Sequence, residues 1–209
     1  MGLLDTLQEG KVYEVLLITR SNVTPVGVVR RGNRLFFKLF GGRSAGELKS
    51  CPYASIQFTN DVESIVKLAL NLPLRLEFDG NGEHRWIKGL PGVYGTVEAK
   101  EEEHEDELGK TVVLKCSLQP AGETPGTLPP LPPSRADFYL MEMGVDITRL
   151  LVAVRKGLDD VAKGLRERIL TNYRMYSRLG GKSKLAEVIL KMAADPYSPP
   201  QVAPPEEDL

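Results

Sequence analysis

The sequence predicts an α+β protein in which an N-terminal β-barrel is followed by a C-terminal helical unit of about three helices. From residue 11 to about residue 118, short β-branched and aromatic runs are separated by Gly, Asn, Asp and Pro, as in barrels and sandwiches. A proline-rich segment follows, and beyond it the apolar period changes from 2 to about 3.6. With 209 residues, the chain is long enough to bury a substantial core.

The barrel is predicted to begin with a three-stranded meander. Residues 12–20 (VYEVLLITR) are apolar on both faces in the middle of the run, so this strand is expected to be covered on both sides. Turns at 21–22 and 31–33 separate it from strands at 24–30 and 34–40.

Two short helices and further strands complete the predicted barrel. One helix follows Gly41-Gly42, and a second, which Asp61 can cap, runs to about Leu70. The other strands are expected at 53–59, 74–78, 92–100 and 111–118. The last two are expected to pair as a hairpin whose tip is the charged run EEEHEDELG.

The proline-rich segment 120–133 is predicted to be a linker that forms neither helix nor ladder, because proline lacks the N–H and fixes φ. The chain is expected to divide into a barrel (1–120), a linker (121–134), a helical unit (135–195) and a disordered tail (196–209). The predicted apolar helix faces are Phe138, Met141, Val145, Thr148 and Leu151; Leu158, Val161, Leu165 and Ile169; and Leu185, Val188, Ile189 and Met192.

Composition excludes several classes of protein. Lysine and arginine total 27 against 28 acidic residues, so the overall charge does not favour nucleic-acid binding. Only two cysteines are present, far apart, which argues against a disulfide framework or a structural zinc site. There is no secretory leader pattern and no apolar run of about 18 residues, so we expect a cytoplasmic protein without a membrane span.

The third predicted strand and the helix after it form a candidate anion site. Because side chains alternate along a strand, Leu35, Phe37 and Leu39 are expected to face the interior. Lys38 then lies outside, between two aromatic residues. Gly41-Gly42, Arg43 and the capping-box spacing from Ser44 to Glu47 follow, and a helix N-terminus beside cations suits a phosphate. The alternative is an ordinary turn before a short helix.

The order of several short strings resembles an archaeal family of uncharacterised proteins with the split β-barrel fold that binds flavin mononucleotide (FMN), related to flavin-reductase-like and pyridoxamine-phosphate-oxidase-like barrels. The matching strings are Tyr13-Glu14, Asn22 with Pro25 and Gly27, Phe40 with 41–48, Phe58 to Asp61, Arg135-Ala136, Glu142, Thr148 to Leu150 and Gly180-Gly181. The resemblance implies a homodimer with FMN across the outer barrel surface at the subunit interface.

Carried onto this sequence, the resemblance implies which residues bind FMN. Those for the phosphate are Lys38, Arg43 and Ser44, with a backbone contact from Gly42. Those for the ribityl chain and the flavin's polar edge are Asn22, Thr24, Asn60 and Asp61. Trp86 could cover the ring or simply close the end of the barrel. Glu47 departs from the family, where an amide or small polar residue is usual; we expect it to cap the Ser44 N–H, the alternative being a weaker site.

Three functions are compatible with the sequence. The first is an FMN-dependent oxidoreductase, with a nicotinamide as a candidate electron donor and a deazaflavin coenzyme as a variant of the cofactor. The second is a flavin-binding or carrier module without turnover. The third is a barrel for single-stranded nucleic acid that uses the basic and aromatic residues between 30 and 43. No metal site is predicted, since the acidic run around His104 lacks the spacing of a metal loop.

Overall fold

The computed structural model describes residues 2–127 and 135–197. Residues 128–134 of the predicted linker and 198–209 of the predicted tail lie outside the described residues. The described residues form two compact units, one of residues 2–61 and 75–127 and the other of residues 62–74 and 135–197.

The first unit is a closed barrel of six antiparallel strands, which confirms the predicted fold class. The barrel strands are β1 (Val12–Ile18), β2 (Val23–Arg31), β3 (Arg34–Leu39), β4 (Tyr53–Gln57), β7 (Gly92–Asp106) and β8 (Gly109–Thr124), in the order β1-β2-β3-β8-β7-β4. Helix α1 (Gly42–Ser50) connects β3 to β4, and a 3-10 helix (Leu3–Thr6) precedes β1. The strands enclose fully buried Leu17, Val28 and Leu35, so the core of this unit is the barrel interior.

Strand β3 alternates as predicted. Leu35, Phe37 and Leu39 are buried in the barrel interior, whereas Lys38 is exposed on the outer face. Phe40, just after the strand, is 61% exposed. The outer face of β3 therefore combines a cation with an exposed aromatic ring.

The predicted hairpin is formed by β7 and β8, but its charged tip was placed wrongly. Most of the acidic run belongs to β7, which continues to Asp106, and the turn holds only Glu107 and Leu108. The end of the hairpin is largely exposed, so charged residues are tolerated in its ladder. Gly109, the first residue of β8, has a φ of 90°, which glycine adopts without strain and which allows the tight turn.

The predicted start of the linker is also wrong, because the last strand of the barrel extends into it. Strand β8 continues through Pro120 to Thr124 and pairs with β7. Gly95 lies opposite Pro120 and Tyr94 opposite Gly122, which leaves Ala121 as the extra residue of a β-bulge. Proline is tolerated at bulges, where a ladder hydrogen bond is already missing, and this explains why the expectation was wrong for residues 120–124.

The strand expected at 74–78 is absent, because pairing of β1 with β4 closes the barrel and leaves no edge for it. Instead, β5 (Phe78–Gly80) and β6 (Arg85–Ile87) form a separate two-stranded hairpin. Gln57, completely buried at the end of β4, fixes the chain that follows β6. Its side chain accepts a hydrogen bond from the Ile87 N–H at 2.5 Å and donates to the Leu90 carbonyl at 2.7 Å.

The second unit is helical, and one face of its longest helix differs from the prediction. Its helices are α2 (Val62–Ala69), α3 (Arg135–Arg155), α4 (Asp159–Arg178) and α5 (Lys184–Ala194). In α3 the buried hydrophobic residues are Ala136, Leu140, Met143, Ile147, Leu150 and Ala153. Phe138 and Val145, which were expected on the apolar face, are 59% and 42% exposed. Helix α3 carries two apolar stripes, and the buried one contains Gly144, whose missing side chain lets Val66 of α2 approach closely.

Candidate functional site

The start of α1 is an open turn built from two glycines. Gly41 and Gly42 have φ of 84° and 81°, a conformation that other residues adopt only with strain. A side chain at either position would meet no atom within 4 Å. The first backbone N–H groups of a helix have no partner within the helix, and the open space beside Gly41 and Gly42 gives an anion room to approach this helix start.

Three of the predicted site residues come together beside this turn. Ser44, only 2% exposed, lies 2.7 Å from the Thr24 hydroxyl. The Asn22 side-chain amide donates to both hydroxyls, at 3.0 Å to Ser44 and 2.9 Å to Thr24. Residues from the start of β2 and from α1 thus form one hydrogen-bonded group, which we call the hydroxyl cluster.

Glu47 does not cap Ser44, and that expectation was wrong. Helix α1 begins at Gly42 with Gly41 as its N-cap, so Ser44 already lies inside the first turn. The Glu47 carboxylate instead accepts hydrogen bonds from the turn between β1 and β2: from the Thr19 hydroxyl at 2.7 Å, from the Ser21 N–H at 3.0 Å and from the Ser21 hydroxyl. It also accepts one from Arg43 Nε at 3.2 Å. Hydrogen-bond donors from the turn between β1 and β2 therefore bind the carboxylate in place of the local helix cap.

The environment of Glu47 stabilises its charged form. Burial alone would raise the pKa of this carboxyl, but the hydrogen bonds from Ser21, Thr19 and Arg43 outweigh that effect and lower the pKa to about 2. Glu47 is therefore ionised at neutral pH. It places one fixed negative charge beside the hydroxyl cluster, and Arg43 is paired with it.

Arg85, on β6, is a neighbour of this site that the sequence did not indicate. Its Nη1 donates to the Arg20 carbonyl at 3.1 Å, and its guanidinium lies over the Phe78 ring, 3.5 Å from the ring centroid. Burial lowers the pKa of Arg85, Glu47 raises it and Arg43 lowers it again, so all three charges share one electrostatic environment. Its position within a three-residue strand carries no sequence pattern that would have revealed it.

Lys38 is placed differently from the hydroxyl cluster. It lies on the outer face of β3, opposite Lys115 of β8, and contributes to the electrostatic environment of Glu102. Within residues 2–127 and 135–197, no hydrogen bond joins Lys38 to the cluster. Its predicted role in phosphate binding stays a prediction.

The remaining predicted site residues lie elsewhere in the chain. Asn60 and Asp61 follow β4, where the Asp61 N–H donates to the Thr59 hydroxyl at 3.1 Å. Trp86 is 7% exposed and stacks on Tyr94, with ring centroids 5.6 Å apart. This packing favours the structural alternative for Trp86. The proposed flavin contacts of all three residues stay predictions.

Two further features of the described part of the chain bear on function. Among those residues, no group of three or more His, Cys, Asp and Glu side chains could hold a metal ion. None of their helices is both long enough and apolar enough to cross a lipid bilayer.

Comparison with known proteins identifies the family. The family model described as "Protein of unknown function (DUF447) N-terminal domain" matches residues 13–123, slightly more than half of the chain. The chain belongs to this family. The match spans β1 to β8 and thus contains the hydroxyl cluster, Glu47 and Arg85. No curated protein matches the chain.

Solved structures extend the similarity of this DUF447 protein beyond the barrel. An FMN-bound DUF447 protein from Methanosarcina mazei is 21% identical, with a TM-score of 0.61 over 89% of this chain and 96% of that one. At this identity the match shows a common fold, including the helical part. The flavin reductase of styrene monooxygenase from Pseudomonas putida S12 is 12% identical, with a TM-score of 0.40 over 54% of this chain and 80% of that one, which is too low to support an argument.

Proposed function

We propose that this protein binds FMN, with the phosphate at the start of α1. The observation that carries the proposal is the combination of an open glycine turn, the hydroxyl cluster and Arg43 at one helix N-terminus. Helix N–H groups, hydroxyls and a guanidinium are the donors that bind phosphate in proteins. The FMN-bound relative of the same fold supports this assignment.

The residues of the site suggest how the ligand is divided among them. Arg43 and the backbone of Gly42 would hold the phosphate, while Asn22 and Thr24 would contact the ribityl chain. The outer face of β3, with Lys38 and the exposed Phe40, offers a flat surface beside the turn for the ring. Bound flavin would supply the redox chemistry, and the chain's own residues would bind and orient it.

For the reaction, we propose a flavin-reductase-like oxidoreductase in which a nicotinamide donor delivers hydride to the flavin. The alternative is a carrier or storage module that binds flavin without turnover. A deazaflavin coenzyme remains a variant of the cofactor. We further propose that the protein acts in the cytoplasm as a homodimer, in which a second copy covers the flavin on the outer barrel surface.

The nucleic-acid alternative is disfavoured by the ion pairs of the barrel. Arg30 pairs with Asp5 at 3.0 Å and Arg34 with Glu98 at 2.7 Å. Cations that are already neutralised contribute little to binding a phosphate backbone.

The absorption spectrum of the purified protein, before and after addition of FMN, tests the proposal. Flavin bands that remain with the protein after gel filtration are expected, and bleaching by a nicotinamide donor in the absence of oxygen would identify an oxidoreductase. Retained flavin that the donor does not bleach would favour the carrier. A protein that stays colourless after incubation with FMN and with a deazaflavin coenzyme would refute the proposed function.

A further inference from the structure

Arg85 is held firmly in position by groups that leave its charge unpaired. Its guanidinium is stacked on Phe78 and hydrogen-bonded to the Arg20 carbonyl. The hairpin that carries it is tied to the barrel by Gln57, whose side chain bonds both the N–H and the carbonyl of Ile87. The position of the guanidinium is thus set by the fold before any ligand binds.

The same side chain retains donors that the protein does not use. Arg85 Nε is buried and has no hydrogen-bond partner, although buried donors are almost always paired. No carboxylate of the described residues lies within ion-pairing distance of Arg85. Its nearest charged influences are Glu47, which is attractive, and Arg43, which is repulsive.

The charges around the site are therefore unbalanced. Two guanidiniums, Arg43 and Arg85, share the field of a single carboxylate, which already accepts hydrogen bonds from Arg43 and from the turn at 19–21. Holding two cations in one field costs free energy unless a further anion is bound nearby. A planar guanidinium with a spare N–H is suited to donate hydrogen bonds to one phosphate oxygen or two.

We propose that Arg85 is a phosphate-binding residue of this site and acts together with Arg43. The inference rests on the proposed binding of FMN and names a residue that recognises its phosphate. It predicts that Arg85 contributes to the affinity for FMN but not to that for riboflavin, which has the same ring and ribityl chain without the phosphate.

The test is titration of FMN and of riboflavin, followed by flavin fluorescence, into the wild-type protein, Arg85→Gln, Arg85→Lys and the control Arg31→Gln. Arg31 is a matched control because its guanidinium also lies over an aromatic ring, 5.5 Å from the Phe36 centroid, at an exposed position of the same barrel. Arg85→Gln should weaken FMN binding by about 10-fold to 100-fold, with riboflavin changed by less than about twofold. Arg85→Lys should be intermediate, because it keeps the charge and loses the planar donors.

The outcomes separate the two proposals. Wild-type protein that binds neither flavin refutes the proposed function. Wild-type protein that prefers FMN to riboflavin, together with an Arg85→Gln variant that keeps the same preference, overturns the role of Arg85 and leaves FMN binding intact. Equal affinity of the wild type for both flavins also overturns it, since the phosphate would then go unrecognised. If Arg85→Gln does not fold, Arg85→Lys decides between the same outcomes.

Discussion

Replacing Glu47 by glutamine should destabilise the protein in a manner that depends on pH. The carboxyl has a pKa of about 2 in the folded chain against an ordinary value of 4.5, because the donors of Ser21, Thr19 and Arg43 outweigh the effect of burial. By linkage, a lowering of this size corresponds to about 3 kcal/mol of stability at neutral pH. The Glu47→Gln variant keeps the shape but presents an N–H₂ group to neighbours that are mostly donors, so a loss of about 2–3 kcal/mol is expected.

The sign of the pH dependence follows from the lowered pKa. The contribution of Glu47 is complete above its ordinary pKa of 4.5 and is lost as the pH falls towards about 2. The difference in free energy of unfolding between wild type and Glu47→Gln should therefore be about 2 kcal/mol smaller at about pH 3 than at about pH 7. Urea unfolding of both proteins at the two pH values, followed by circular dichroism, measures it.

Glu98→Gln provides the matched control. The Glu98 carboxylate also pairs with an arginine, Arg34, at 2.7 Å, but its side chain is 68% exposed. An exposed pair of this kind contributes little to the stability of a protein, because solvent screens it. Two results would contradict the assigned role of Glu47: a difference that does not change with pH, or a loss no larger than that of the control.

Three further predictions concern packing, the support of the hairpin and ligand binding. Gly144→Ala should lower the free energy of unfolding by about 1–3 kcal/mol, because the added Cβ would lie 2.7 Å from a buried side chain of α2. In the control Gly164→Ala nothing lies within 4 Å of the added Cβ, so this variant should be neutral or stabilised. Equal effects of the two substitutions in thermal melts would refute the packing argument. Gln57→Leu should lower the free energy of unfolding by about 2–4 kcal/mol in urea unfolding, because the backbone groups that bond this buried amide would lose their partner. A loss below about 1 kcal/mol would show that these groups find other partners. Alanine at both Lys38 and Arg43 should abolish FMN retention with the far-ultraviolet circular dichroism unchanged, whereas stoichiometric flavin in the purified double variant would place the site elsewhere; the single variants then assign the effect to one residue.

Sequence patterns predicted those parts of the fold that depend only on residues close together in the chain. The alternation of Leu35, Phe37 and Leu39 with Lys38 gave both the strand and the face that points inward, because side chains alternate in any strand. Helix α5 likewise buries Leu185, Ile189 and Met192 in the predicted pattern, and α4 buries Leu165 and Ile169 of its predicted face. The grouping of Asn22, Thr24 and Ser44 was implied only by resemblance to a family.

Features that depend on distant partners escaped prediction. The spacing from Ser44 to Glu47 fits a local cap, yet donors 26 and 28 positions away bind this carboxylate instead. Arg85 reaches the site because Gln57 anchors its hairpin through Ile87, which lies 30 positions later in the chain than Gln57. In α3, two apolar stripes fit the helical period equally well. Which of them is buried depends on the helices that pack against α3, and the period of the sequence carries no information about those helices.

The bulge at Ala121 also determines how the end of the barrel can change during evolution. Because one extra residue shifts the alternation of β8, Gly122 lies opposite Tyr94, and the Thr124 hydroxyl is hydrogen-bonded to the Leu90 carbonyl and to the Gln57 side chain. Deletion of Ala121 would reverse the orientation of every later residue in the strand. Substitutions at this exposed position are therefore tolerable, whereas a change of length by one residue is not, and sequence length here is more constrained than sequence identity.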